Sequence, residues 1–187
     1  KGPYKKSPIV RALIALGPAY IKFGQLLLTR PDIVGADLAN ELKVLQDSLD
    51  PFPTAEAKKI VNEELGSPVE SIFSSFSDSI AAASIAQVHK ATVKETKELV
   101  AVKILRPKVE KVFLKDLAAL LFLAKFIEFI IPSFRRLKPT EVINHFERLV
   151  REELDLRMEI SAAAEFAENT KSDRNFYVPK VMWSLSG

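Results

Sequence analysis

The chain has 187 residues, 48% of them hydrophobic and 27% charged, a balance typical of a folded chain of one domain, with or without an appendage. Its 27 basic and 24 acidic residues leave a net charge of +3, which is too small to indicate a nucleic-acid-binding protein. The sequence contains no cysteine, which excludes disulfides, thiolate catalysis and zinc–thiolate sites. The two histidines, His89 and His145, argue against a histidine-based metal site.

Helices are predicted for most of the N-terminal part of the chain. The predicted helices cover residues 8–30, 35–49 and 54–65, with a short helical turn at 69–74. Pro18 predicts a kink or a restart in the first helix, because proline removes a backbone donor and clashes with the preceding turn. Thr54 is the expected cap of the third helix, and Gly66 is expected to end it.

The pattern changes to β-structure from residue 76 to residue 105. Residues 85–93 alternate between apolar and polar side chains, and residues 98–105 are nearly all apolar, so both predict strands. The polar stretch KETK between them is the expected hairpin turn. His89 and Gln87 lie within the first strand and are interpreted as structural residues.

The rest of the chain predicts two long helices and a last strand. The helices are expected from Pro107 to about Ile131 and from Thr140 to about Thr170, and the strand is expected over residues 175–185. The order of elements predicts an α+β fold, with a small antiparallel sheet packed against helices. Residues 1–75 would form a helical N-terminal extension, and residues 76–187 would form the domain that contains the sheet.

The most apolar segment, residues 117–131, is too short for a membrane-spanning helix. Lys125 and Glu128 interrupt it, and a span needs about 20 consecutive apolar residues. A buried or interfacial helix fits the segment better. The sequence shows no signal peptide, and its end on an expected strand suggests a piece of a longer protein.

Lys103 is a candidate functional residue because it lies in the otherwise apolar run VAVKIL. A lysine on a buried strand needs an anionic partner, since an unpaired buried charge costs roughly 3–5 kcal/mol. The alternative is a lysine on an edge strand whose long side chain reaches water. The local sequence favours neither of the two.

The predicted helix 140–170 supplies candidate anions. Glu152, Asp155 and Glu159 are spaced by three and four residues, so they would share one helix face, where like charges repel. Such a face needs cations nearby, and the sequence offers Lys103, Lys22, Arg151 and Arg157. A solvated acidic face with local arginine pairs is the simpler alternative.

Several motifs occur together in one order along the chain. They are KFGQ at residues 22–25, AAASIAQVH at 81–89, VAVK at 100–103 and EELDLRMEISAA at 152–163. This combination strongly resembles the UbiB family of atypical kinase-like proteins. The resemblance covers essentially the whole chain, and it implies a protein-kinase-like N-lobe with an inserted helix, preceded by a helical extension that carries the KxGQ motif.

The resemblance implies roles for matching residues. Lys103 resembles the lysine that contacts the α- and β-phosphates of a nucleotide, and Glu159 resembles its partner on the αC helix. Lys22, Gly24 and Gln25 match the family's KxGQ motif, which lies across the cleft where ordinary kinases accept a peptide. Glu153 and Asp155 match its ExD motif, and Lys22 is expected to neutralise Glu153. One departure follows Glu159, where the family often has Glu-Ala-x-Asn and this chain has Glu-Ile-Ser-Ala.

The resemblance also places alanines where a kinase has its glycine-rich phosphate loop. Ala81, Ala82, Ala83 and Ser84 are the residues expected to bind the nucleotide there, together with Lys103. Glycine permits positive φ and a close approach of backbone N–H groups, whereas the left-handed region costs an L-residue roughly 1–2 kcal/mol. A stiffer loop with fewer amide contacts predicts chemistry other than fast phosphotransfer to protein hydroxyls. Ser84 is interpreted as capping its own turn rather than as a phosphate ligand.

The function implied by the resemblance is that of an atypical kinase or ATPase that supports ubiquinone biosynthesis. The intact protein would use ATP or ADP and Mg²⁺, with the metal ligands in a C-lobe that the chain does not contain. Its expected partners are lipid or a quinone precursor, quinone-biosynthesis proteins and the cytoplasmic face of a bacterial inner membrane, but no nucleic acid. The alternative is a non-catalytic lipid-binding scaffold in which the nucleotide acts as a conformational switch.

Overall fold

The structure is a computed structural model, and it describes residues 7–46 and 50–186. The helices are α1 (Pro8–Leu16), α2 (Pro18–Leu28), α3 (Pro31–Val34), α4 (Ala36–Leu42), α5 (Thr54–Leu65), α6 (Val69–Ile72), α7 (Val109–Ile130), α8 (Pro139–Leu154) and α9 (Leu156–Asn169). The strands are β1 (Phe73–Ala82), β2 (Ala86–Val93) and β3 (Leu99–Leu105). Short 3-10 helices cover Lys43–Gln46, Pro132–Leu137 and Trp183–Leu185.

The three strands form one antiparallel sheet in the order β1-β2-β3, which confirms the α+β prediction. The strands predicted over 85–93 and 98–105 correspond to β2 and β3. The remaining strand of the sheet, β1, begins at Phe73, inside the stretch for which a helical turn was expected. The helical part of that stretch is α6, which ends at Ile72.

Apolar side chains on the two sides of the sheet form two separate hydrophobic cores. One core joins Ile85 and Ala86 to helices α7 and α8 through Phe113, Phe146 and other buried residues. The other core joins β2 and β3 to α5 and α6, with Ala57 and Val61 at its centre. Helix α5 packs on the sheet, and β1 begins at Phe73, so contacts join the residues on the two sides of position 75. The domain boundary expected there stays a prediction.

A third core lies within the N-terminal helices. Val10, Ile21, Leu42 and Leu45 form its buried part. Helix α1 ends and α2 restarts at Pro18, with Gly17 at φ 111° between them, as the proline predicts. The helix expected over 35–49 is shorter, since α4 gives way to a 3-10 helix at Lys43, and residues 47–49 lie outside the described residues.

The predicted cap of α5 is wrong. Pro53 occupies the N-cap position, and Thr54 is the first helical residue. The Thr54 hydroxyl donates instead to Asp78 Oδ1 on β1, at 2.6 Å. The predicted end is correct, because Gly66 caps α5 in the left-handed region with φ 62°.

The prediction of a single helix over 140–170 is also wrong, because the helix is interrupted at Asp155. Asp155 has φ −91° and ψ 89°, outside the helical region, and its side chain accepts a hydrogen bond from Arg157 N. An aspartate that bonds its own neighbouring backbone competes with helix continuation and favours an N-cap. The break therefore creates two helices, α8 and α9, and the side chains on either side of it no longer share one face.

The strand predicted over 175–185 is absent from the described residues. Residues 175–182 form no ladder, and Pro179 in their middle lacks the N–H that a central strand position would donate. The segment is nevertheless attached to the sheet. Met182 and Leu185 pack against the core beneath β2 and β3.

Helix α7 is buried on one side only. Its buried residues include Phe113, Leu117 and Leu120, which face the core with α8. Its C-terminal half exposes large apolar side chains, with Phe122 73% and Phe129 79% exposed. In the parts of the chain that the structure describes, no helix combines enough length and apolar character to cross a membrane.

Candidate functional site

Lys103 lies on the edge strand β3, opposite Val88 of β2. Alternation along β3 places Ala101 on the same face as Lys103, and residues directly opposite in an antiparallel pair also share a face. Val88 is half-buried and Ala101 is exposed, so this face of the sheet offers an accessible apolar surface beside the lysine. Strand β3 is thus less buried than its apolar sequence predicts, with only Ile104 fully buried.

The Lys103 ammonium forms an ion pair with the Glu159 carboxylate of α9. The two residues are 56 positions apart in the sequence. Each of the two alternatives for Lys103 is met in part, because it lies on an edge strand and also has an anionic partner. The side chains are 37% and 57% exposed. A pair this accessible contributes only about 0–1 kcal/mol to stability, so the fold gains little from it.

The alanine-rich segment forms the end of β1 and the turn into β2. Ala81 and Ala82 pair with Val88 and Gln87 in the ladder, which leaves Ala83, Ser84 and Ile85 as the turn. Positive φ among the described non-glycine residues occurs at Lys97, Lys108 and Lys138, and at none of these alanines. The turn therefore needs no glycine, which gives a physical reason why alanine is compatible with it.

Ser84 does not cap its own turn as expected. Its side chain is 7% exposed, and its hydroxyl has no hydrogen-bond partner among residues 7–46 and 50–186. Ala83 N donates to Ala86 O at 2.8 Å and closes the turn through the backbone instead. The Ser84 hydroxyl is therefore not committed to a contact within the described chain.

The KFGQ segment of α2 connects the N-terminal helices to α8. Lys22 forms a 2.5 Å ion pair with Glu153 near the end of α8, and its side chain is 22% exposed. Gly24 is buried, and an added Cβ would overlap Leu45 Cδ1 and approach Leu13 Cδ1 to 3.0 Å. Gln25 Nε2 donates to Leu45 O at 2.6 Å. Glycine and glutamine here fix the packing of the helices, while the lysine reaches across to α8.

The acidic face expected on one helix does not exist. Glu153 reaches Lys22, Glu159 reaches Lys103, and Asp155 lies at the break between α8 and α9. Asp155 pairs with Arg157, whose hydrogen bonds lower the pKa of the Asp155 carboxyl from its ordinary value despite partial desolvation. Glu152 is exposed on α8. Arg151, which was also expected to offset this charge, pairs with Glu147 instead.

The opposite face of β2 carries a closed polar network. Gln87 Oε1 accepts from Phe52 N at 2.9 Å, and Gln87 Nε2 donates to Phe52 O at 3.2 Å. Gln87 Nε2 lies 2.8 Å from His89 Nε2, and His89 Nδ1 lies 2.9 Å from Ser77 O. These partners assign the Nδ1–H tautomer to His89, because the amide nitrogen can only donate. Both side chains are buried, in agreement with a structural role.

Arg106 is a residue near the site that the sequence did not single out. Its side chain donates to Ala83 O in the turn and to Asp50 O in the segment before α5. Burial lowers the pKa of the Arg106 guanidinium, and the nearby Asp50 carboxylate opposes that effect. No local pattern could have identified Arg106, because its side-chain partners are 23 and 56 positions away.

Metal ligands do not cluster in this part of the chain. Among residues 7–46 and 50–186, no group of three or more histidine, cysteine, aspartate or glutamate side chains is arranged to hold a metal ion. The site therefore consists of a lysine–glutamate pair, an alanine-rich turn, an apolar strip of sheet and a second lysine–glutamate pair between α2 and α8.

Comparison with known proteins identifies the family of the chain. The model of the ABC1 atypical kinase-like domain matches residues 44–187. A probable protein kinase UbiB from Pseudomonas paraeruginosa is 43% identical over 173 residues, which are 92% of this chain and 32% of that protein. Relatives of the same name from Cellvibrio japonicus and Marinobacter nauticus are 41% and 40% identical, and each alignment covers 94% of this chain and 32% of the relative. The chain thus spans about a third of the length of these relatives, and it belongs to the ABC1 atypical kinase-like family as a UbiB-type member.

Proposed function

We propose that this chain forms the nucleotide-binding wall of a UbiB-type atypical kinase or ATPase that supports ubiquinone biosynthesis. The ion pair between Lys103 of β3 and Glu159 of α9 carries the proposal. Because an exposed pair stabilises a fold by only about 0–1 kcal/mol, its placement is better explained by what the lysine holds than by stability. Glu159 would orient the ammonium group, and Lys103 would contact the α- and β-phosphates of ATP.

The chemistry of the residues around Lys103 supports nucleotide binding. Val88 and Ala101 offer an apolar surface on which a planar base could lie. Ala83 and the uncommitted Ser84 hydroxyl lie in the turn that would cover the phosphates. Magnesium would neutralise the phosphate charge when it is bound, and its ligands would come from residues other than those described. The contribution of this chain is to bind and orient the nucleotide.

ATP hydrolysis is favoured over protein phosphorylation by the second ion pair. Lys22 and Glu153 tie α2 of the extension to the end of α8, only six positions before Glu159. The family resemblance implies that the extension would occupy the side of the cleft that a peptide substrate needs, and this ion pair supports that placement. The link to ubiquinone biosynthesis, a quinone precursor and its biosynthetic proteins rests on the name of the relatives and on the family resemblance.

A thermal-shift titration of the full-length protein with Mg-ATP and Mg-ADP tests the proposal. A ligand at about 100 times its dissociation constant stabilises the folded state by about 2.7 kcal/mol, a readily visible shift. The wild type is expected to shift and Lys103→Ala is not, while both unfold at similar temperatures without nucleotide. Equal shifts in the two proteins would contradict the role of Lys103, and no shift in either would contradict nucleotide binding.

A second candidate function is favoured by the exposed apolar surface of α7. Phe122 and Phe126 stack with their ring centroids 6.3 Å apart, and Phe129 and Ile130 are exposed beyond them. Such a surface suits a lipid-binding scaffold at the cytoplasmic side of a bacterial inner membrane, with nucleotide as a switch. Liposome flotation of the full-length protein tests it. Charges introduced by Phe126→Glu and Phe129→Glu are expected to abolish flotation, and unchanged flotation would remove this surface from the proposal.

A further inference from the structure

One residue holds both ends of the alanine-rich turn from outside. Arg106 N donates to Ile85 O at 2.8 Å, and Arg106 Nε donates to Ala83 O at 3.0 Å. The carbonyl groups at the first and last positions of the turn are therefore fixed by the residue that follows β3. The turn contains no glycine and lies between two strands, so these bonds determine how its amides are presented.

The same guanidinium group reaches the segment that precedes α5. Arg106 Nη2 donates to Asp50 O at 2.8 Å, and the guanidinium carbon lies 5.9 Å from the centre of the Phe52 ring. Gln87 binds both the N–H and the carbonyl of Phe52 from β2. The planar, forked guanidinium suits this task, because its donors point in different directions at once. Segment 50–52 and the turn are thereby linked through a single side chain.

We propose that Arg106 is a positioning residue that sets the shape of the alanine-rich turn and couples it to segment 50–52, where the chain leaves the N-terminal helices. This inference rests on the proposed nucleotide site, since the turn matters for affinity only if it covers phosphates. In this proposal Arg106 acts through the turn and makes no contact of its own with the nucleotide. Its effect is on the orientation of the Ala83 and Ser84 backbone, and a change in segment 50–52 would reach the turn through the same guanidinium.

The first test is ATP affinity in the full-length protein, measured by calorimetry for the wild type, Arg106→Ala and Arg106→Lys. Arg106→Ala removes both side-chain bonds but keeps the backbone N–H, and it is expected to raise the dissociation constant about tenfold, the equivalent of about 1.4 kcal/mol. Lysine keeps the charge but lacks the fork, so Arg106→Lys is expected to recover only part of the affinity. An unchanged dissociation constant for Arg106→Ala would overturn the proposal.

Two control variants separate positioning from general effects. Arg151→Ala removes an arginine of equal charge that pairs with Glu147 on α8, and it is expected to leave ATP affinity unchanged. Val10→Ala opens a cavity in the core of the N-terminal helices, away from the turn, and is expected to lower stability. It leaves the brace unaltered, by which we mean the hydrogen bonds of Arg106 to Ala83, Ile85 and Asp50. If Val10→Ala weakened ATP binding as much as Arg106→Ala does, the effect would be loss of stability and the proposal would fail.

Hydrogen exchange without nucleotide tests the coupling independently of the proposed function. The amides of Ala83 and Phe52 donate to Ala86 O and Gln87 Oε1, so each reports on one side of the brace. Both amides are expected to exchange several-fold faster in Arg106→Ala and at the wild-type rate in Lys103→Ala. Faster exchange at neither amide would refute the brace. If exchange changes but the wild type does not bind ATP, the nucleotide site fails while the coupling stands.

Discussion

The two faces of strand β2 differ in how completely their polar groups are satisfied. On one face, Gln87 and His89 are buried, and their hydrogen bonds close on Phe52 and Ser77. On the other face, Val88 lies beside Lys103, which is 37% exposed and has one partner. Adjacent residues of the same strand thus belong to a closed structural network and to an open surface.

This difference separates residues that stabilise the fold from residues that are available for binding. A buried polar group without a partner costs about 1–3 kcal/mol, so the closed face penalises any change. An exposed ion pair contributes about 0–1 kcal/mol, so the open face can change with little effect on folding. Stability and nucleotide affinity should therefore respond to different substitutions, and the following predictions test that separation.

The largest effect is expected for Gln87→Leu on the closed face. Leucine leaves the Phe52 N–H, the Phe52 carbonyl and His89 Nε2 without their partner. The free energy of unfolding is expected to fall by about 3 kcal/mol, which urea denaturation measures. Lys103→Met is the matched control on the open face, with an expected change below about 1 kcal/mol. A similar loss in both variants would remove the distinction between the faces.

Glu159→Gln tests the open face from the opposite direction. Glutamine keeps the size of the side chain but removes the charge that orients Lys103. The affinity for Mg-ATP is expected to fall about tenfold, or about 1.4 kcal/mol, while stability changes by less than about 1 kcal/mol. Calorimetry and urea denaturation of the full-length protein measure the two quantities. Unchanged affinity would show that the pair does not serve nucleotide binding.

Asp155→Ala is expected to have a smaller effect, because it removes the cap at the start of α9. The Asp155 carboxylate accepts from Arg157 N at 3.1 Å, and loss of an N-cap typically costs about 1 kcal/mol. Asp155→Asn retains an acceptor and is expected to restore most of the stability. Thermal unfolding followed by circular dichroism compares the three proteins. Equal destabilisation by alanine and asparagine would indicate that the charge, rather than the cap, is what matters.

The smallest effect is a pH dependence at the same helix start. Hydrogen bonds from Arg157 lower the pKa of Asp155 below its ordinary value of 3.8 in the folded state. A carboxyl with a lowered pKa stabilises the fold above its ordinary pKa, and this contribution is lost as the pH falls through the folded-state value. A carboxyl titration followed by NMR is expected to place the Asp155 midpoint below 3.8. In Arg157→Ala the midpoint is expected to rise.

The sequence predicted most of the helices and strands and the ion pairs of Lys22 and Lys103 with glutamates. It did not predict other contacts between distant parts of the chain, such as those of Arg106. Lys22, Lys103 and Glu159 stand in motifs whose order indicates their family. The break at Asp155 escaped prediction because the surrounding residues keep a helical pattern, and one local hydrogen bond decides against it. The last strand was wrong because apolar residues around Pro179 favour β-structure without supplying a donor for the ladder.

The break at Asp155 makes α9 a separate unit with its own stability. Helix α9 has 14 residues and buries none of them in this chain, and isolated helices of about this length are marginal in water. Phe146 and Val150 anchor helix α8 in the core, so undocking of α9 would leave these contacts of α8 in place. The measured nucleotide affinity would then equal the intrinsic affinity multiplied by the fraction of molecules in which α9 is docked. A contact that holds α9 in its docked position would then raise nucleotide affinity without touching the nucleotide.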